Sequence, residues 1–349
     1  MSIFRVGITP DFYREAKGRF EAAVECKLAP ASGLRYDPMP AQPGNVATPE
    51  ALNEFDALFA LATKVTRESV ANVERLAVIA RWGVGYDMID VPALTEAGIA
   101  LAITPNAVKK PVAEAILTFI FALAKDLREQ DRTVREGRWR GNLRRPGYGI
   151  QGKVLGSVGC GNIARELFRT AQSLGFSRFL ACDPYADAAA AKALGVELVG
   201  METVFRESDF VTVNTLLNES TRGLISEAEL ALMKPTAFLI NTARGPIVDQ
   251  RALTKALTER RIAGAGLDVF EQEPIDPADP LLALDNVMLS PHGLAWTEEI
   301  VRDNGLEACD HILSVFRGEA PDGLVNREVL ENPKFRSKLA RYREARAEA

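Results

Sequence analysis

Short apolar runs alternate with longer periodic segments along most of the chain. Phe4 to Thr9, Asp56 to Leu61, Leu76 to Arg81 and Ile99 to Ile103 read as strands, the last closed by Thr104-Pro105. Polar segments suited to helices precede the second and third of these, and Val91 to Ala97 reads as a further helix. Pro30, Pro38, Pro40 and Pro43 mark the intervening stretch as loop-rich. A long helix is expected from Pro111 to about Arg138, with an apolar stripe of Val112, Ile116, Phe119, Ile120, Leu123 and Leu127. Beyond the stripe, Arg138, Arg140, Arg144 and Arg145 form a basic arm, either solvated or in contact with another subunit.

The second half repeats the alternation more strictly. Lys153 to Val158 and Phe179 to Cys182 are β-rich runs separated by a periodic segment, Ile163 to Leu174. Phe210 to Asn214, Ala237 to Asn241, Gly264 to Asp268 and Val287 to Ser290 follow, each an apolar run ending on a polar residue. Uninterrupted apolar runs alternating with helices predict an α/β protein with doubly wound parallel sheets and functional residues at their carboxyl edges. Trp296 to about Arg317 reads as a last amphipathic helix, and the charged tail from Glu331 as a solvated helix or disordered chain.

Between the runs at 153–158 and 179–182 lies Gly159-Cys160-Gly161-Asn162-Ile163-Ala164, and Asp183 follows the second run. A strand, a glycine turn, a helix, a strand and an acid form a dinucleotide-binding pattern. Gly159 permits a tight turn, Gly161 lets backbone N–H groups approach a pyrophosphate, and Ala164 allows close helix–strand packing. The helix N-terminus offers unpaired N–H groups to phosphate. Asp183 is suited to the ribose hydroxyls and repels a 2′-phosphate, which selects NAD over NADP.

At 349 residues the chain has length for two domains, and 47% hydrophobic and 26% charged residues are ordinary for a soluble globular protein. A net charge of −5 argues against nucleic acid as partner. No apolar run approaches a membrane span, and the N-terminus lacks a signal-peptide pattern. Cys26, Cys160, Cys182 and Cys309 are scattered without metal-ligand spacing, so no metal is expected, and reduced thiols fit a cytoplasmic location.

Three stretches beyond the glycine turn carry candidate chemistry. Arg244, in Asn241-Thr242-Ala243-Arg244-Gly245, follows a strand and can pair with a carboxylate through two hydrogen bonds. Glu273 lies in Asp268-Val269-Phe270-Glu271-Gln272-Glu273-Pro274, and His292 in Ser290-Pro291-His292-Gly293. Singly, Glu273 reads as a loop carboxylate, while Arg244 and His292 are equally a surface ion pair and a satisfied polar side chain. Together behind a dinucleotide turn they make an acid–base site with an anion anchor. The other histidine, His311, sits in an amphipathic segment and reads as structural.

Those stretches, with Gly83-Val84-Gly85-Tyr86-Asp87-Met88-Ile89-Asp90, Val112-Ala113-Glu114 and Pro246-Ile247-Val248-Asp249, occur in order over about residues 75 to 330. The chain closely resembles the D-isomer-specific 2-hydroxyacid dehydrogenases. The resemblance implies a Rossmann NAD-binding domain (residues 104–295) inserted into a flavodoxin-like substrate domain (1–103 and 296–330), with 331–349 as a tail. It implies a homodimer built through the cofactor domain, its long helix and its basic arm. It implies Arg244 on the substrate carboxylate, His292 as acid and base, and Glu273 holding the imidazole. Val84 and Gly85 would meet the carboxylate through backbone N–H groups. Gly159, Gly161, Asn162, Ile163, Asp183, Thr215, Thr221, Thr242, Ala243, Asp268 and His292 would line the cofactor.

The chain also departs from the family pattern. Asn214-Thr215-Leu216-Leu217 replaces a common His-x-Pro-Leu, Ile103 to Val108 replaces Asn-x-Pro-Gly-x-Asn, and Gly293-Leu294-Ala295-Trp296 follows the histidine. The changes point to a substrate pocket unlike that of the phosphoglycerate and glycerate enzymes, with Trp296 either walling it or lying in the core. The expected activity is hydride transfer between NAD and a small D-2-hydroxyacid or 2-ketoacid. Two alternatives are a phosphite- or formate-type oxidoreductase on this fold and an NAD(H)-sensing regulatory protein with little turnover. Glu273 disfavours the formate type, whose matching residue is usually Gln.

Overall fold

The computed structural model describes residues 3–15, 25–29 and 31–347. It divides into two compact units, Met1–Val108 with Trp296–Ala349, and Lys109–Ala295.

In the first unit, β1 (Phe4–Ile8), β2 (Leu34–Pro38), β3 (Ala57–Ala60), β4 (Val78–Arg81) and β5 (Ala100–Ala102) form a parallel sheet in the order β2-β1-β3-β4-β5. This is the flavodoxin-like order, with its switch point between β1 and β3. Every residue of β3 and β5 is buried, as befits strands covered on both faces. β2 lies in the stretch read as loop. It is an edge strand with a largely polar sequence, Leu-Arg-Tyr-Asp-Pro, and half-exposed positions, so it carries no apolar signal.

In the second unit, β6 (Val154–Val158), β7 (Arg178–Cys182), β8 (Val196–Leu198), β9 (Phe210–Val213), β10 (Phe238–Asn241), β11 (Gly264–Leu267) and β12 (Val287–Leu289) form a seven-stranded parallel sheet. Its order, β12-β11-β10-β9-β6-β7-β8, is that of a Rossmann sheet with one added strand. The direction of winding reverses between β6 and β9, which opens a crevice at their carboxyl ends. One apolar core, around Val211, Leu239, Leu257 and Ala265, covers one part of the sheet. A second, around Ile116, Phe168, Phe210 and Phe238, includes the long helix. β8, an edge strand with exposed Glu197 and Leu198, was not legible as an apolar run.

Two helical expectations need correction. The long helix runs Pro105–Ala124, so Pro111 lies inside it, not at its start. Buried Ala107 and Val108 extend the apolar stripe, and Pro105 takes the first-turn place. It also stops earlier than expected. The Tyr148 N–H takes the Ala124 carbonyl at 2.6 Å, and Asp126 adopts a left-handed conformation (φ +50°) before a separate helix, Leu127–Arg135.

The charged tail is a helix, Pro333–Ala347, but it is neither solvated nor disordered. Phe335, Lys338 and Tyr342, on one face, are all buried. The Tyr342 hydroxyl donates to Asp56 (2.9 Å), which also accepts from the Arg5 N–H and Arg75. The Lys338 ammonium donates to the carbonyls of Leu76 (2.6 Å) and Gly98 (3.1 Å). One buried position per turn is too sparse to register as a stripe among so many charges.

Candidate active site

The candidate residues of the second unit lie on loops at the carboxyl ends of its strands. After β6, Gly159 has φ +99°, and a Cβ there would stand 2.5 Å from the Asn214 carbonyl oxygen. Only glycine lets the end of β9, with Thr215 next in the chain, pass so closely. Gly161 differs. Its φ is ordinary, and a Cβ would meet no protein atom within 4 Å, so it leaves free space in front of the turn. It caps the helix Asn162–Ala171 without a side-chain hydrogen bond, leaving first-turn N–H groups available to an anion. Asn162 is exposed and accepts from Arg165, Ile163 is half-buried, and Ala164 is fully buried.

Asp183 follows β7 and steadies this turn, accepting from the Cys160 N–H at 2.8 Å and the Tyr185 N–H at 2.8 Å. The Cys160 thiol is pushed up by burial and by the Asp183 charge, which makes it an inert thiol. Thr221 closes a local turn, accepting from the Asn218 N–H and donating to the Leu216 carbonyl. Beyond β10, the Thr242 hydroxyl is buried without a hydrogen-bond partner, and Ala243 packs against the apolar core. A free space at Gly161 and an orphaned hydroxyl at Thr242 both fit a bound dinucleotide.

Asn241, buried at the end of β10, shapes the Arg244 loop. It accepts from the Ala243 N–H (3.0 Å) and donates to the Arg244 carbonyl (2.9 Å). Gly245 lets this loop press on the next, since a Cβ there would collide with the Phe270 carbonyl and the Glu271 nitrogen. Gln250 and Glu271 then exchange hydrogen bonds, each backbone N–H to the other's side chain, at 3.1 and 3.0 Å. The sequence held no signal for these ties, which depend on loops distant in the chain.

The Asp268 carbonyl accepts the His292 N–H at 2.7 Å, and its buried carboxylate accepts those of Gly293 (2.9 Å) and Leu294 (3.0 Å). This clamp holds His292 in the left-handed region (φ +53°), a strained conformation for a residue with a Cβ. The imidazole Nδ1 lies 2.8 Å from Glu273 Oε2, while Glu273 Oε1 accepts the Phe270 N–H at 3.0 Å. The His292 and Glu273 side chains are 45% and 37% exposed, so both can meet a ligand. Burial pushes the Glu273 carboxyl up. The hydrogen bond to His292, its charge, the Phe270 N–H and the Arg244 charge outweigh burial and hold it below the usual carboxylate range. Arg244 is half-buried, and its Nη1 donates to the Ala243 carbonyl at 2.7 Å. An ionised carboxylate on Nδ1–H fixes the tautomer that leaves Nε2 free to exchange a proton.

In the first unit, Val84 and Gly85 are half-buried in the loop after β4. That loop is fixed by the Gly83 N–H, which donates at 2.7 Å to Thr104, itself bonded to Asn304. Trp296 is 39% exposed, which rules out the core reading, and packs edge-on against Trp82 with ring centroids 5.0 Å apart. His311 is buried, its Nε2 3.0 Å from the Ile103 carbonyl. Among the described residues no group of three His, Cys, Asp or Glu side chains is placed to hold a metal ion. No helix among them is long and apolar enough to cross a membrane.

Residues 117–293 match the family model described as "D-isomer specific 2-hydroxyacid dehydrogenase, NAD binding domain". The chain is 41% identical over 295 residues to a glyoxylate reductase from Korarchaeum cryptofilum, covering 83% of this chain and 89% of that protein. A solved glyoxylate reductase from Paecilomyes thermophila superposes with a TM-score of 0.80 at 29% identity, covering 93% and 99% of the two chains. The D-mandelate dehydrogenase of Rhodotorula graminis gives 0.78 at 27% identity, covering 94% and 99%.

Proposed function

The chain belongs to the D-isomer-specific 2-hydroxyacid dehydrogenase family and is an NAD-dependent oxidoreductase of 2-hydroxyacids, and from that premise we propose which residues do the chemistry and on what. Arg244 binds the substrate carboxylate through its planar fork and polarises the C2 oxygen. His292 Nε2 removes the hydroxyl proton on oxidation and returns it on reduction. Glu273 orients the imidazole through Nδ1–H and stabilises its protonated form. NAD, when bound, accepts or donates the hydride at nicotinamide C4. Gly159, Gly161, Asn162 and Ile163 would hold the cofactor at the glycine turn, and Asp183 would accept from its ribose hydroxyls. Thr215, Thr221, Thr242, Ala243 and Asp268 complete its lining. The free space at Gly161 and the unpartnered Thr242 hydroxyl support this placement. Val84 and Gly85 offer backbone N–H groups to the substrate, and Trp296 is assigned a substrate contact. The working form is a cytoplasmic homodimer joined through the cofactor domain.

One observation carries this reading above the others. An ionised Glu273, 2.8 Å from His292 Nδ1 and under the influence of the Arg244 charge, is an acid–base pair beside an anion anchor. Reductase activity on glyoxylate, named for the similar archaeal and fungal proteins, makes it the first substrate to test. Loss of reduced-nicotinamide absorbance with glyoxylate or another 2-ketoacid is expected. Tight NADH binding with no turnover of any 2-ketoacid would favour a nicotinamide sensor, and phosphite or formate oxidation would move the activity elsewhere on the same fold.

A further inference from the structure

Lys338 lies on the buried face of the helix Pro333–Ala347. Its ammonium donates to the carbonyls of Leu76 and Gly98, each two residues before a strand, β4 and β5 respectively. Both acceptors are neutral, although a lysine buried this deeply is normally matched by a carboxylate. Burial, then the charges of Arg341 and Lys334, push its pKa down, and the opposing Glu74 charge is the weakest influence on it. The structure therefore buries a cation, brings two more beside it, and sets no acid against them at close range.

Lys338 also borders a groove of about 590 Å³, within the usual size range of small-ligand sites. Every residue lining it belongs to the first unit. One wall is the C-terminal helix, where Lys334, Lys338 and Arg341, spaced four and three apart, share a face. The facing wall is the segment from Arg67 to Glu74 with the helix Val91–Ala97. Glu96 on that wall is already engaged, accepting from both Nη atoms of Arg67 at 2.5 and 3.1 Å. Lys334 has no ion pair among the described residues. Arg341 reaches Asp56 only at 3.7 Å, and Arg75 and Tyr342 already engage that carboxylate. Buried Val70, Val73 and Ala93 give the groove an apolar base.

We propose that this groove binds a small organic dicarboxylate, with one carboxylate at Lys334, the other at Arg341, and the carbon chain between them on the apolar base. Seven residues separate the two cations, about 10 Å along the helix axis, so two charges on a short chain engage them better than one compact anion. Arg341 presents a planar fork suited to a carboxylate. The bound anion also offsets the charge buried at Lys338. The site is not the candidate substrate loop, because Gly83 to Gly85 leave the opposite end of β4. Binding there holds the C-terminal helix against the sheet and takes no part in the reaction.

The test is calorimetric titration of succinate into the full-length, NADH-saturated protein, with ionic strength held constant by sodium chloride. One site per chain is expected, with sulfate and acetate bound at least about tenfold more weakly. Lys334→Gln combined with Arg341→Gln should weaken succinate by about tenfold or more, the worth of one charge-assisted hydrogen bond. In the wild type, succinate should also slow acetylation of Lys334 by limiting acetic anhydride, read from peptide masses, where sodium chloride does not. Absence of succinate binding overturns the inference, as does binding that survives the double substitution, which would put succinate elsewhere on the chain. Sulfate bound as tightly as succinate means an adventitious ion only and overturns it too. Should the double variant fail to fold, the labelling decides: an unchanged rate at Lys334 overturns the proposal.

Discussion

Lys338 offers a test of how the C-terminal helix is held. The residue is 6% exposed, and its ammonium has two carbonyl acceptors, Leu76 and Gly98. Burial, then the charges of Arg341 and Lys334, push its pKa down to about 8, against a smaller upward pull from Glu74. A folded-state value below the unfolded 10.5 means that the native state releases its proton first as pH rises. The native state therefore carries the full cost of the buried charge below about pH 8, and that cost disappears as pH climbs toward 10.5. The interval between the two values corresponds to about 3 kcal/mol. Lys338→Met removes the charge at every pH and keeps most of the volume. Both carbonyls lose their partner in the variant at all pH values, so that loss cancels in a pH comparison. Urea unfolding of wild type and variant, from neutral pH to pH 10.5, should show wild type gaining about 3 kcal/mol on the variant. Parallel stability curves would refute the claim that Lys338 is buried as a charge against the sheet edge.

Gly245→Ala should force the Arg244 loop away from Phe270, and steady-state kinetics should show kcat/KM down at least about a hundredfold for a displacement near 1 Å. Asp183→Ser removes the acceptor for the Cys160 N–H and the repulsion of a 2′-phosphate, so the ratio of kcat/KM with NADPH to that with NADH should rise. Glu273 titrates below its usual 4.5 because of His292 and Arg244, so its contribution to stability is complete above pH 4.5 and is lost as pH falls through the lower folded value. Glu273→Gln should therefore flatten that acid limb in an unfolding series against pH.

Much of the fold was legible because its central strands are covered on both faces. Ala57–Ala60, Phe238–Asn241 and Gly264–Leu267 are buried throughout and read as continuous apolar runs. β2 and β8 lie at sheet edges, where polar residues are tolerated and the pattern fades. Pro111 satisfied the local rule for a helix start, but the buried Ala107 and Val108 moved that start to Pro105. In the candidate site, the glycine turn and the Arg244, Glu273 and His292 stretches stood out because the chemistry proposed for them needs particular residue types at strand ends. The Asp268 clamp on His292, the close approach at Gly245 and the Gln250–Glu271 exchange did not, since each is a contact between separate loops. The C-terminal helix escaped for a related reason. Phe335, Lys338 and Tyr342 have a burial that depends on what they dock against, not on their neighbours in the chain.

The most direct test of the central claim is the single-turnover rate of hydride transfer to glyoxylate in His292→Ala, with NADH affinity measured on the same protein. The imidazole is assigned the proton transfer and is only one of many residues lining the cofactor, so the rate should fall by about 10²- to 10⁴-fold while the NADH dissociation constant changes by no more than about tenfold. A rate near that of wild type with NADH bound normally would contradict the assignment of His292 as the acid and base.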